Sequence, residues 1–92
     1  MSDGFPFSVS VEIVGLTKPT VFDSLFDALD VLRAGLALLA LDADQAADLN
    51  SRFGPRAAGE IGHRLYHFGA VGAVAFVGPD PFPVYVRRVA FD

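Results

Sequence analysis

The chain has 92 residues, no cysteine, 52% hydrophobic residues with nine Phe among them, and a net charge of −4. This length suits one ordinary domain, residues 1–92, and the apolar share excludes a disordered chain. Without cysteine there is no disulfide, thiol nucleophile or Cys-ligated zinc, and the acidic balance argues against general nucleic-acid binding, which needs basic surface to neutralise phosphates.

Phe7 to Val14 alternates Phe7, Val9, Val11 and Ile13 with Ser8, Ser10 and Glu12. That is the period of a half-buried strand. Gly15 and Pro19 bracket a turn. From Thr20 to Leu41, Phe22, Leu25, Phe26, Leu29, Leu32, Leu36 and Leu39 recur at three- and four-residue spacing, which predicts one long helix beginning within two residues of Pro19. Asp23, Asp27 and Asp30 follow its opposite face, early enough to suit the helix dipole. Beyond Arg33 the polar face disappears, so the segment from Leu36 to Leu41 is expected to be almost wholly buried.

Asp42 and Gln45 make a second helix start, the aspartate accepting backbone N–H groups and the glutamine reaching back to it. Ala46, Leu49 and Phe53 form its apolar stripe, and Gly54-Pro55 ends it. Residues 55–68 read either as a helix, with Ala58, Ile61, Leu65 and Phe68 on one face, or in their second half as a strand. The helix sorts polar from apolar better, and Gly69 is a natural left-handed stop.

The unbroken apolar run Ala70–Val77 predicts a strand buried on both faces, and therefore central. Gly78 to Pro81 is turn chemistry, and Val84 to Phe91 predicts a returning antiparallel strand with Pro83 just outside it. The expected architecture is α+β, a small two-layer sandwich in the order strand-helix-helix-helix-strand-strand. Its three-stranded mixed sheet would carry the helices on one face, with the first two strands parallel.

Function is less legible. Glu60, His63 and His67 share a helical face, and two imidazoles with a carboxylate can bind zinc or iron. Arg56 and Arg64 on that face would repel a metal, and a solvated face is the plainer reading, so neither metal nor cofactor is expected. Arg52, Arg56 and Arg64 are candidates for anion binding near a helix start. The glycines around them lack the Gly-Lys-Ser/Thr ending of a phosphate loop. No serine sits in a Gly-x-Ser-x-Gly turn, so nucleophilic catalysis has no support.

Residues 1–50 hold eight acidic and two basic groups, and residues 51–92 three acidic and five basic. An uncovered apolar sheet face would mark a contact surface, for which Val74, Phe76, Tyr85, Val89 and Phe91 are the candidates. The resulting expectation is a non-enzymatic interaction or self-association module, most simply a homodimer, with a protein partner possible. The alternative is a small-molecule or anion-binding domain using residues 52–67. The N-terminal residues do not read as a secretory signal, and the longest uncharged apolar stretch falls far short of the ~20 residues that span a bilayer. A cytoplasmic protein away from membranes is therefore expected.

Overall fold

The computed structural model describes residues 7–89. Its elements are strands β1 (Val9–Ile13) and β2 (Thr20–Phe22), helices α1 (Leu25–Leu36) and α2 (Ala43–Arg52), a 3-10 turn at Pro55–Ala57, helix α3 (Ala58–Phe68), and strands β3 (Ala70–Val77) and β4 (Asp80–Arg88). The α+β class stands, but the sheet has four strands in the order β2-β1-β4-β3, and every pairing is antiparallel. The predicted three-stranded mixed sheet is thereby corrected. β1 pairs with the last strand, so no parallel crossover joins it to β3.

The extra strand comes from the start of the expected long helix. Thr20, Val21 and Phe22 pair with β1, as suits one β-branched and aromatic triplet followed by a helix cap. Ser24 supplies that cap, its Oγ accepting the Asp27 N–H at 3.3 Å. Three residues are too few for the sequence to separate a strand from a first helical turn.

The other end of the long helix is also shorter than expected. α1 stops at Leu36, and the chain continues through tight turns, with Leu38 N–H donating to Gly35 O and Leu39 N–H to Leu36 O. Asp42 must be extended to cap α2, where its carboxylate accepts the Gln45 N–H at 2.8 Å, so the helix cannot run on to Leu41. Leu36 is buried, Leu39 and Leu41 are half-buried, and Leu38 is 78% exposed, which overturns the expectation of a wholly buried segment. Leu36→Ala should therefore cost ~2–5 kcal/mol in chemical denaturation, whereas Leu38→Ala should stay within ~0.5 kcal/mol. Equal losses at the two positions would contradict this placement.

Residues 55–68 are helical, as their periodicity predicts, and Gly69 closes α3 at φ 83°. β3 is an edge strand, not the central one that its composition suggests. Its small residues Ala70, Gly72 and Ala73 make an apolar run without much apolar area. β4 takes the central place even though it contains Pro81 and Pro83. Both prolines lie beyond the last β1 residue, Ile13, which pairs with Val84, so no neighbour needs their missing N–H groups. The Pro83 carbonyl still accepts Val14 N–H at 2.8 Å.

One cluster joins the elements. Val9, Val11 and Ile13 of β1 and Val84 and Val86 of β4 are buried with Leu25, Leu29 and Leu32 of α1 and Ile61 and Leu65 of α3. Arg33 adds a polar tie, donating from Nη1 to the Phe53 carbonyl at 2.6 Å, while its Nη2 meets the Asp30 carboxylate.

Candidate functional site

Side chains alternate along a strand, so each residue that enters the core leaves its neighbours on the opposite face. Register places those neighbours in rows. Val21, Ser10, Arg87 and Ala70 form one row, Glu12, Tyr85 and Gly72 the next, then Pro83 with Val74, and last Pro81 with Phe76. The face is polar at one end and apolar at the β3–β4 turn. At the polar end Arg87 sits 4.4 Å from the centre of the Tyr85 ring and 3.6 Å from Glu12. At the other end Val74 is 44% exposed and Phe76 49%.

Three of the five predicted interface residues thus share this face: Val74, Phe76 and Tyr85. Val89 follows the end of β4 and is half-buried, and Phe91 lies outside the described residues.

A second feature lies on the other side of β3. A cleft of about 320 Å³ is lined by Ser51, Arg52 and Phe53 at the end of α2, Ile61 and Arg64 of α3, and Val71 and Gly72 of β3, with Ala57 and Glu60 beside them. Its floor is apolar and its rim charged. Arg64 is held by Glu60 at 3.1 Å, and Arg52 by Asp48 at 2.9 Å. Of the three arginines proposed for anion binding, Arg52 and Arg64 share the cleft, whereas Arg56, on the 3-10 turn, does not line it.

Glu60, His63 and His67 all lie exposed on α3. Glu60 is engaged by Arg64, and the His67 ring meets Tyr66 edge-on at 5.2 Å. Among the described residues no three carboxylate or imidazole groups converge as a metal site would require.

One residue that the sequence reading placed elsewhere shapes this region. Gln45 does not turn back to cap α2. Its side-chain amide donates from Nε2 to the Phe76 carbonyl at 2.8 Å and accepts the Phe76 N–H at Oε1 at 2.6 Å. This is the two-bond pattern by which one residue of a neighbouring strand would pair. A primary amide carries one donor and one acceptor side by side, so only Asn or Gln can imitate a backbone in this way. The sequence marks Gln45 as polar and near a helix start, but the partner lies 31 residues away and has no local signature.

No helix among the described residues is long and apolar enough to cross a membrane. No family model, curated protein or solved structure matches this chain.

Proposed function

We propose that this domain is a non-enzymatic interaction module that self-associates as a two-fold dimer, packing the open face of its sheet against the same face of a second copy. In this reading the domain has two layers, with the helices on the opposite side of the sheet. The observation that supports it is the apolar end of the open face, where Val74, Phe76, Pro81, Pro83 and Tyr85 occupy adjoining rows. Apolar side chains gathered on an uncovered face mark contact surfaces. A two-fold dimer needs only a patch complementary to itself. The Glu12–Arg87 pair balances charge at the polar end of the face, so that pair adds no net repulsion when a copy approaches.

Area sets the strength. Four strands about 4.8 Å apart, averaging roughly six residues at ~3.3 Å rise, project to roughly 400 Å². A face-to-face pair then buries about 800 Å², below the ~1,200–2,000 Å² of stable complexes. The expected dimer is therefore weak and reversible. Light scattering across a dilution series should show mass rising with concentration, and Phe76→Asp should hold the protein at monomer mass. A wild type that remains monomeric at about 500 µM would end this reading.

The ligand-binding reading has one observation in its favour, the cleft shared by Arg52 and Arg64. Each of these guanidiniums already faces a carboxylate, which leaves little net positive charge for an anion. It ranks second.

A further inference from the structure

We infer that the free edge of β3 is a binding site for an extended segment of a partner polypeptide, which adds to the sheet as a fifth strand and places a large apolar side chain in the cleft beside Val71. This site is separate from the open sheet face and does not rest on self-association.

The backbone pattern comes first. Both Phe76 backbone groups point away from β4, because Gln45 takes them. The Gly69 carbonyl, seven residues earlier, points toward β4 and accepts Arg88 N–H at 2.8 Å. Alternation along the strand then turns the N–H and C=O groups of Ala70, Gly72 and Val74 outward. All three residues are exposed, and no partner for these groups exists among the described residues. Water satisfies these groups in the free domain; an extended backbone can replace that water at all three residues at once, in about six hydrogen bonds. Such a row invites strand addition unless it is blocked. Gln45 blocks it at Phe76 alone, so the available length is bounded by Gly69 at one end and Gln45 at the other.

The cleft selects the occupant. A strand lying against β3 alternates its side chains as β3 does, so a residue beside Val71 points toward the helices, as Val71 itself does. There it meets Phe53, Ala57, Ile61 and Val71 in about 320 Å³. If two copies paired through β3 about Gly72, the residue entering the cleft would be Ala73, whose single methyl leaves most of that space empty. An aromatic or long aliphatic side chain fills it, and a buried anchor of this kind is what gives peptide sites their affinity. The charged rim of paired Arg52 and Arg64 suits the polar flanks of such a segment.

The probe is the acetylated, amidated peptide Thr-Val-Thr-Phe-Thr-Val-Thr, followed by amide chemical shifts of the full chain. Binding should perturb Ala70 to Val74 with a dissociation constant below about 1 mM. Replacing the probe's phenylalanine with alanine should weaken it at least ~tenfold. Gly72→Pro and Val74→Pro each remove an outward N–H without breaking a bond to β4, and a Cβ at position 72 meets only ordinary contacts with Tyr85 and Val84 at 3.5 Å. Both variants should keep the wild-type circular dichroism and lose the peptide. Phe76→Asp, which tests the sheet face, should bind it as wild type does. Absence of shifts at about 1 mM peptide, or unchanged affinity in both folded proline variants, would overturn the proposal. So would a loss of dimer mass on Gly72→Pro that Gly72→Ala does not share, since alanine places a Cβ on the sheet face beside Tyr85 but keeps the outward N–H, and the edge would then belong to a second copy.

Discussion

Phe53→Ala should lower the stability of the domain by ~3–5 kcal/mol, the usual cost of emptying a phenylalanine site in a core. Among the described residues Phe53 is the largest fully buried side chain, at 1% exposure. It stands where α2 ends, just before the 3-10 turn that leads into α3. Its ring belongs to the same cluster as Leu29, Leu32 and Leu65, and its carbonyl accepts the Arg33 guanidinium from α1. Truncation therefore leaves a cavity among all three helices, and the backbone there is tied by Arg33 and cannot simply collapse into it. Against the ~5–15 kcal/mol by which domains of this size are stable, the loss is a large fraction. Urea denaturation of the variant is the measurement. A loss under ~1 kcal/mol would mean that the α2–α3 corner is not part of the cooperative core.

How much of this was legible follows from the range of each signal. Strand β1 and helices α2 and α3 were readable because their patterns are local. Val9, Val11 and Ile13 alternate, Asp42 caps, and Ile61 and Leu65 repeat at helical spacing. The errors arose where two periodicities coincide or where composition stands in for position. Phe22 fits a helical stripe with Leu25 and Leu29, yet it pairs with Val9 in the sheet. The run from Leu36 to Leu41 is apolar throughout, but the cap that Asp42 must provide forces the chain to turn and leaves Leu38 in solvent. An unbroken apolar strand usually means a central one. In β3 the residues are small, and the central place went to β4, which begins at Asp80 and so takes in Pro81 and Pro83, expected in a turn and just outside the strand.

The candidate surfaces divide in the same way. Which strand residues share a face followed from alternation, and Val74, Phe76 and Tyr85 do share one. The cleft was half legible. Arg52 and Arg64 drew attention as charges, while its floor of Phe53, Ile61 and Val71 read only as core. The edge pairing by Gln45 was not legible at all, since nothing near residue 45 points to residue 76.

Gly54 and Gly59 look alike in the sequence, five residues apart around the start of α3, and the structure gives their alanine substitutions opposite signs. A Cβ at Gly54 would lie 2.8 Å from the Asn50 carbonyl oxygen. That oxygen is backbone in the last turn of α2, beside the Gly54 N–H bond to Ser51 O at 3.3 Å, so it cannot swing aside as a side-chain tip could. The φ of −80° at Gly54 suits any residue; the requirement is space, not conformation. Forcing a methyl into such a contact costs ~1–3 kcal/mol, and Gly54→Ala should also loosen the corner where Phe53 is buried. At Gly59 a Cβ meets nothing within 4 Å, and the residue is helical in α3. Gly59→Ala should therefore stabilise the protein by roughly 0.5–1 kcal/mol, the helix-propensity difference between the two residues. The pair is measured side by side by urea denaturation. Stabilisation at both positions would show that α2 ends more loosely than the 2.8 Å approach implies, and destabilisation at both would place Gly59 in a packed contact rather than in solvent.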